Sequence, residues 1–463
     1  MSAPLPRPLA GVLAAVAVSL TGTRVSAVAL PWFVLETTGS PVLTGVVAFA
    51  EMGPYVLVKL VAGPLLDRIG PRRVSWAGDV VSAGAAGAIA LLHPLSLLPL
   101  GVLAALVAVI GAARGPGDLA KEIMVPEAAE RGRMPLERAT GLMGAVERLA
   151  QLAGPVTGGA LVAALGATAG LAVSAACFGL GSVVVAWALP RGMGRRATDD
   201  PAAAGSTGGS TGGSTGGSTG GSAAEGGYWR RFGQGWAFLR GQPLLLVVIA
   251  MVAVTNLLDA GFAQVLGPVW AQRSGNGAAA WGLSRSIMGL TALGGGLLAA
   301  ALAHRLPRRP VLFAAFLVAG PPQYLILAVP DVPLGAVLAV FAVGGFCGGF
   351  LNPILGAITY ERVPRGLLGR VGAMQTSLAF AGIPVAGVLA GAAVAAAGPA
   401  PVLVACGVVY GLTTTLAGLH PAARDMDRLR GRGPAPEAPA AVGPPPGSAG
   451  RRQTGGGEAG GGP

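Results

Sequence analysis

Long apolar runs separated by short polar connections fill most of the chain. A helix needs about 20 apolar residues to cross the hydrocarbon core of a membrane, and twelve runs approach or exceed that length. We number the predicted spans 1 to 12, at residues 9–33, 41–65, 74–93, 95–115, 138–164, 167–189, 243–270, 280–303, 310–329, 332–357, 369–397 and 399–419. The pattern therefore predicts an all-α membrane protein with twelve transmembrane helices.

The longest polar interval divides these spans into two groups of six. Residues 1–190 form the predicted N-terminal half and residues 243–420 the C-terminal half. Between them, 191–242 contain the repeat GSTGGSTGGSTGGSTGGS, whose side chains cannot build a core. We expect a flexible tether there, followed by a segment that lies along the membrane surface. The Pro-, Gly- and Arg-rich residues 421–463 are expected to form a disordered tail.

Basic residues accumulate at alternate connections, which predicts the orientation of the protein. The opposite connections carry Glu36, His93 and Asp331, with Arg273 and Arg285 as their only cations. Because cytoplasmic loops are enriched in Arg and Lys, both termini are expected in the cytoplasm and the protein in the cell membrane. The basic connections carry Arg68, Arg72, Arg73, Lys121, Arg131, Arg133, Arg138, Arg305, Arg308, Arg309, Arg362, Arg365 and Arg370.

Composition excludes several other classes of protein. Hydrophobic residues make up 52% of the chain and charged residues only 11%, against about 25% charged in soluble domains. The net charge of +12 resides in the orienting arginines, so we expect no nucleic-acid partner. The three cysteines and three histidines lack metal-ligand spacing, and no nucleotide-binding loop GxxxxGK[ST] occurs. The sequence therefore predicts no enzyme activity, no cofactor and no metal site.

Short motifs repeat between the two halves. AGPLLDRIGPRR follows span 2, and AAALAHRLPRR follows span 8 at the equivalent place. Pro155 in span 5 corresponds to Pro384 in span 11, and these spans end in Gly166 and Gly398. Transporter folds are commonly built from such repeats. We therefore expect two pseudo-symmetric six-helix bundles.

Two of these motifs resemble signatures of the major facilitator superfamily. The loop after span 2 is similar to G-x-L-x-D-R-x-G-R-R/K, with Pro71 where a basic residue is usual, and its conformational-switch residues would be Gly63, Asp67, Arg68, Gly70, Arg72 and Arg73. In span 5, GPVTGG resembles the motif of antiporters and exporters through Gly154, Pro155, Gly158 and Gly159. LPWFVLETTGS, Asp79 and VPRGLLGRV resemble the branch of macrolide-efflux proteins and the enterobactin exporter.

The resemblance implies roles for both motifs. The loop 2–3 motif would latch the cytoplasmic side while the transporter is open outward, and this latch must break for inward opening. The alternative, that its arginines only orient the protein, leaves the Gly–Asp–Gly pattern unexplained. In span 5 the small residues allow close helix packing and Pro155 bends the helix. Generic small-residue packing is the alternative there.

Ionisable residues within the spans are the candidate transport site, because an unpaired charge in lipid costs several kcal/mol. Arg24 and Glu51 should meet at mid-membrane, and we hypothesise an ion pair between them that lines a central cavity. Arg114 resembles the functional arginine of the superfamily. Glu51 or Asp259 would take up a proton, since burial disfavours the charged carboxylate; a permanent structural bridge remains the alternative. Asn256 and Gln264 would complete the polar lining, and Trp32, Trp270, Trp281, Phe262 and Tyr324 could contact substrate, although each Trp is more typical of an interfacial anchor.

These features together predict a secondary transporter. The main hypothesis is proton-coupled export of a small amphipathic molecule, a drug or natural product, by alternating access. The expected partners are a small-molecule substrate, protons and membrane lipid, and a monomer should suffice. An importer or facilitator on the same fold is one alternative, and a sensor or scaffold without transport is another.

Overall fold

The first half of the chain consists of six long helices. The structure is a computed structural model that describes residues 7–190, 193, 236–302, 306–364 and 368–428. The predicted tether repeat and most of the predicted tail lie outside these residues. The helices are α1 (Arg7–Thr38), α2 (Pro41–Ile69), α3 (Pro71–Leu92), α4 (Leu100–Arg131), α5 (Leu136–Leu165) and α6 (Ala167–Ala188).

The second half contains more helical segments than the first, because several spans are interrupted. Span 9 breaks at Gly320, where Pro321 and Pro322 follow and cannot donate the N–H groups that would continue the preceding helix. Span 7 contains a π-helical turn, Phe262–Leu266. The helices are α7 (Pro243–Gly261), α8 (Gly267–Arg273), α9 (Gly277–Leu302), α10 (Arg308–Ala319), α11 (Pro321–Ala328), α12 (Leu334–Gly348), α13 (Leu351–Arg362), α14 (Leu368–Phe380), α15 (Ile383–Ala397), α16 (Pro399–Leu419) and the short α17 (Asp425–Arg428).

The all-α membrane fold is confirmed, whereas the count of twelve spans stays a prediction. Within the described residues, ten helical stretches are long and apolar enough to cross a membrane. Helices α5 and α9, where spans 5 and 8 were predicted, are not among these ten. The predicted end of span 4 at residue 115 is wrong, because α4 continues to Arg131. Lys121 therefore lies inside a helix and is buried, not in the connection 4–5.

Equivalent positions in the two halves have the same local structure. Gly166 and Gly398 follow α5 and α15 with φ/ψ of 84°/164° and 80°/166°, a region of positive φ that favours glycine. Arg72, at the start of α3, donates a 2.7 Å hydrogen bond to the carbonyl of Ala186 at the end of α6. Arg309, at the start of α10, likewise donates 2.8 Å to the carbonyl of Gly418 at the end of α16. The predicted internal repeat is thus visible in backbone and side chains.

The two halves meet through α2 against α15 and α5 against α9. Glycines make the closest approaches: a Cβ atom on Gly45 or Gly391 would overlap backbone of the opposing helix, at Gly387 and Pro41 respectively. A Cβ atom on Gly159 of α5 would lie 2.7 Å from the carbonyl oxygen of Ala278. All these contacts lie toward the end of the bundle opposite loop 2–3. We call this the closed end, and the other the loop 2–3 end.

Buried aromatic side chains stabilise the second half. Phe262 packs against Trp281, Tyr324 and Phe341 with ring centroids 4.5–6.2 Å apart. All four are at most 2% exposed, and Trp270 is 6% exposed. The prediction that Trp270 and Trp281 are interfacial anchors is wrong, since both belong to the core. Nor does this aromatic cluster line the cavity described below.

Candidate functional site

A cavity of about 400 Å³ lies among α1, α2, α4 and α5. Ala263 and Gln264 of the π-helical turn contribute to its wall from the other half, so the cavity lies at the junction of the two bundles. It combines apolar walls with a dense set of charges, which is expensive within a membrane and makes this cavity the candidate functional site. Its charged lining residues are Arg24, Glu51, Arg114, Asp118, Lys121, Glu122 and Glu147.

Glu51 pairs with Arg114, not with Arg24. Nη1 of Arg114 donates to Oε1 of Glu51 over 3.1 Å, and Nη2 lies 3.6 Å from Oδ2 of Asp118 one helical turn further along α4. The Arg114 side chain is 8% exposed, with its guanidinium 5.5 Å from the centre of the Tyr55 ring. The predicted Arg24–Glu51 ion pair is therefore wrong, although both residues line the cavity as predicted.

Close packing of α2 on α4 positions this pair. Gly111 and Gly115 of α4 form a G-x-x-x-G spacing that lets helix backbones approach. A Cβ atom on Gly111 would overlap the Glu51 carbonyl oxygen, and one on Gly115 would lie 2.6 Å from that of Tyr55. The two helices run parallel in a constant register. Glu51–Arg114 and Lys59–Glu122 are both separated by 63 residues along the chain, the latter over 3.2 Å.

Arg24 enters the cavity over a glycine of the span 5 motif. A Cβ atom on Gly154 would overlap the side chain of Arg24, and one on Gly158 would lie 3.1 Å from the Cα atom of Val25. Nε of Arg24 is buried without a hydrogen-bond partner among the described residues. Glu147 of α5 lies near enough to exert an electrostatic attraction on it. The span 5 motif therefore holds α1, and with it a cavity cation, close to α5.

The same motif also joins the two halves. Gly159 faces α9, where a Cβ atom on Gly282 would lie 3.1 Å from the Cα of Gly159 and would overlap the carbonyl oxygen of Pro155. One face of the GPVTGG segment thus contacts α1 and the other contacts α9. These contacts give the small residues a more specific role than generic packing, because they connect the cavity lining to the interface between the halves.

A buried charge cluster lies on the other side of the cavity. Nζ of Lys121 donates 2.7 Å to Asp79 of α3 and 2.9 Å to the hydroxyl of Ser19. Asp79, Lys121 and Ser19 are each 3% exposed. Asp79, one of the residues that carry the family resemblance, is therefore paired with Lys121. Lys121 also lines the cavity, so its charge is neutralised from behind by Asp79.

Asp259 occupies a different cavity from Glu51. It accepts a 2.8 Å hydrogen bond from the hydroxyl of Tyr324. It lines a second cavity of about 520 Å³, formed mainly by the C-terminal half, together with Arg285 and with Arg148 of α5. The predicted single polar lining of Glu51, Asp259 and Asn256 is therefore wrong. Asn256 instead donates 3.0 Å to the carbonyl of Ala379, near the end of α14. Glu147 and Arg148 line different cavities, because adjacent positions lie on different faces of a helix.

At the loop 2–3 end the two halves lack the close glycine contacts of the closed end. Gly63 and Gly144 of the first half and Gly294 and Gly372 of the second would each meet no other described atom within 4 Å of an added Cβ. The charged residues of the cavity also extend in this direction, from Glu51 to Glu122. Among the described residues, the junction of the two halves is therefore open toward the loop 2–3 end and closed at the other.

The fold, the repeated halves and the junction cavity match a known family. A profile of the Major Facilitator Superfamily matches residues 12–320. The chain belongs to this superfamily. It is thus a multi-pass membrane transporter and not an enzyme, in agreement with the sequence motifs.

Two sets of relatives in the superfamily are informative. The multidrug efflux pump Tap of Mycobacterium tuberculosis (strain H37Rv) is 32% identical over 430 residues, covering 90% of this chain and 94% of the pump. Tap of Mycolicibacterium fortuitum is 29% identical over 429 residues, covering 91% and 97%. Among solved structures, the nucleoside transporter NupG aligns with a TM-score of 0.69 at 11% identity over 89% of this chain and 99% of NupG. A peptide transporter POT in complex with sulfate aligns at 0.66 and 14% identity over 92% and 96%.

The loop 2–3 motif of the superfamily is free of the second half in this state. Asp67 and Arg68 are exposed, and within the described residues Asp67 forms no ion pair. Gly70 connects α2 to α3 at φ 92°, where its N–H donates to the carbonyl of Leu66. Arg72 anchors α3 to α6, as described above, and Arg73 is exposed. The exposure of Asp67, Arg68 and Arg73 agrees with an opening at this end.

The sequence pattern did not predict Asp118 and Glu122 as cavity residues, and it predicted Lys121 in a connection. The predicted span 4 ends at residue 115, before this charged segment. A signal was available: Arg114, Asp118 and Glu122 recur every fourth residue, one face of a helix. Such a stripe continuing from an apolar span indicates a helix that leaves the lipid but still lines a cavity.

Proposed function

We propose that the chain is a proton-coupled exporter of small amphipathic molecules, a drug or a natural product, that works by alternating access. The observation that carries the proposal is the Glu51–Arg114–Asp118 group in a cavity at the junction of two halves. The cavity opens at one end only, as alternating access requires. The relatives named multidrug efflux pumps, aligned along nearly the whole chain, support a drug-like substrate and the direction of export.

The loop 2–3 end is assigned to the cytoplasm in this proposal. Its connections hold Arg68, Arg72 and Arg73, Arg131 and Arg133, a bias typical of cytoplasmic loops. Both termini are then cytoplasmic, and the state described here is inward-facing. Residues 191–242 serve as the tether between halves at 1–190 and 243–420. Because the cavity is built within one chain, a monomer surrounded by lipid is sufficient for transport.

The proposed cycle uses the two ends of the junction. In the inward-facing state a substrate enters the cavity from the cytoplasm, and a proton leaves the acidic residues to water. Closure at the loop 2–3 end brings Asp67 against the second half, while the glycine contacts of Gly45 with Gly387 and of Gly159 with Gly282 separate. The substrate is then released outside and a proton is taken up. Because the site binds either the substrate or the proton, but not both at once, export of the substrate is coupled to entry of the proton.

Transport into inverted membrane vesicles tests this function. Ethidium and a panel of amphipathic antibiotics should accumulate in vesicles that carry the wild-type protein only while a proton gradient, acid inside, is imposed. Glu51→Gln should abolish the gradient-driven accumulation, whereas Glu36→Gln, an exposed carboxylate outside the cavity, should leave it unchanged. Accumulation that is unaffected by the gradient, or the same in Glu51→Gln as in wild type, would contradict proton coupling through this cavity.

A further inference from the structure

Around Arg114, the negative charges of the cavity outnumber the positive ones. Arg114 is shared by two carboxylates, at 3.1 Å from Glu51 and 3.6 Å from Asp118. Both acids are largely enclosed, with side chains 15% and 23% exposed. One guanidinium can neutralise one carboxylate, so the group carries one excess negative charge in a confined site. Nε of Arg114 is also buried without a partner among the described residues.

Among the described residues, no cation other than Arg114 lies within ion-pair distance of Glu51 or Asp118. On α4 and α3, Lys121 is held by Asp79 at 2.7 Å. On α2, Lys59 pairs with Glu122 at 3.2 Å. From α1, the positive charge of Arg24 is repelled by the guanidiniums of Arg114 and Arg285 and attracted less strongly by the Glu147 carboxylate of α5. The cation that acts on Glu51 is Arg114, not Arg24. Tyr55 places a ring, and no charge, beside Arg114.

We infer that Asp118 is a second proton-carrying carboxylate, and that Glu51, Asp118 and Arg114 together hold one exchangeable proton. Protonation of either acid leaves a neutral group with one complete ion pair. The proton bonds to one carboxylate oxygen, comes from water on the outer side, and returns to water at the loop 2–3 end. Arg114 stays charged throughout, since a guanidinium does not deprotonate in proteins. This inference rests on the proposed function, because it assigns the proton site of the same transporter.

The position of the proton has a mechanical consequence. Glu51 belongs to α2, whereas Arg114 and Asp118 both belong to α4. With the proton on Asp118, the Glu51–Arg114 bond ties α2 to α4. With the proton on Glu51, Arg114 is free to pair fully with Asp118 within α4, and α2 loses that bond. Because α2 also carries Gly45, which packs against α15 at the closed end, the proton controls a helix that joins the two halves.

Two transport measurements on the purified full chain in proteoliposomes test the inference. One is ethidium transport driven by an imposed proton gradient, and the other is ethidium counterflow, without a gradient, measured at a series of pH values. Asp118→Asn should lower gradient-driven transport by about tenfold or more. It should leave counterflow active but remove its dependence on pH, because the remaining Glu51–Arg114 pair is already neutral.

Two further variants serve as controls for Asp118→Asn. Glu127 lies on the same helix and forms an i,i+4 pair with Arg131 at 2.6 Å, so Glu127→Gln should behave as wild type. Asp118→Glu should restore gradient-driven transport if the carboxylate matters, and it covers the case in which Asp118→Asn fails to fold. If Glu51→Gln is uncoupled while Asp118→Asn keeps the wild-type gradient response and pH profile, the inference is overturned and the proposed function stands. If both variants behave as wild type, the proposed proton site falls as well.

Discussion

Arg114 donates a hydrogen bond of 3.1 Å to Glu51 across two parallel helices that touch backbone to backbone. Gly111 and Gly115 make this approach possible, because any side chain there would collide with α2. Small residues of α4 thus determine which cation the Glu51 carboxylate meets. The same helix then places Asp118 beside Arg114 from one turn below. The site depends on helix packing as much as on its charged side chains.

Substitutions of Arg114 should distinguish the effect of its positive charge from the effect of its planar geometry. Lysine keeps the charge, but its single ammonium cannot reproduce the planar fork that reaches Glu51 and Asp118 together. We expect Arg114→Lys to fold and to lose most gradient-driven ethidium transport. Arg114→Ala leaves two enclosed carboxylates without a cation, which should destabilise the protein by about 3–5 kcal/mol. Thermal unfolding in detergent and vesicle transport measure the two effects, and full coupled transport by Arg114→Lys would contradict the shared role.

The glycine beneath Arg24 should tolerate no methyl group. A Cβ atom on Gly154 would overlap the Arg24 side chain, whereas one on Gly144 of the same helix would meet nothing within 4 Å. Gly154→Ala should therefore lower the stability by about 1–3 kcal/mol and reduce transport by displacing Arg24. Gly144→Ala is the control and should be neutral or slightly stabilising. Equal unfolding temperatures for the two variants would show that Gly154 does not position Arg24.

Removing one partner of the Asp79–Lys121 pair should be worse than removing both. Asp79→Asn leaves a fully buried ammonium whose only strong acceptor is lost, with an expected loss of about 3–5 kcal/mol. Combining it with Lys121→Met removes the buried charge and should recover much of that stability. Thermal unfolding of the two single variants and the double variant gives the coupling energy. Additive losses would mean that the two side chains do not depend on each other.

The sequence predicted the global organisation of the transporter well, because that organisation follows from local properties. Apolar runs give the helices, the glycines at 166 and 398 recur at equivalent turns, and the loop 2–3 and span 5 motifs identify the superfamily. Glu51 is identifiable as an ionisable group within a span for the same reason. These features need no knowledge of which helices are neighbours.

Partner choice could not be predicted, because it depends on the depth and rotation of each helix. Arg24 and Glu51 both line the cavity, yet Arg24 packs over Gly154 of α5 while Gly111 brings Glu51 to Arg114. Asp259 likewise falls into the other cavity, where Tyr324 binds it. The continuation of α4 past residue 115 could not be predicted, because charged residues after an apolar run are typical of a loop unless they are known to face a cavity.

Engagement of the loop 2–3 motif should depend on Asp67. In the state described here Asp67 is exposed and unpaired among the described residues, so neutralising it should not weaken this state. It should weaken the opposite state, in which the latch is engaged. Asp67→Asn is therefore expected to shift the population toward opening at the loop 2–3 end. Faster thiol labelling of Gly63→Cys in the Asp67→Asn background, with the three native cysteines replaced, would measure the shift; slower labelling would contradict it.

Proton coupling is tested most directly by measuring proton movement when a gradient is imposed on the substrate alone. Proteoliposomes are loaded with ethidium and a pH-sensitive dye, and then diluted into ethidium-free buffer of the same pH. If export is coupled to protons, ethidium efflux through the wild-type protein acidifies the lumen. Glu51→Gln should abolish this acidification, and Glu36→Gln should preserve it. Ethidium efflux through wild-type protein without any change in luminal pH would contradict proton-coupled export and indicate a facilitator.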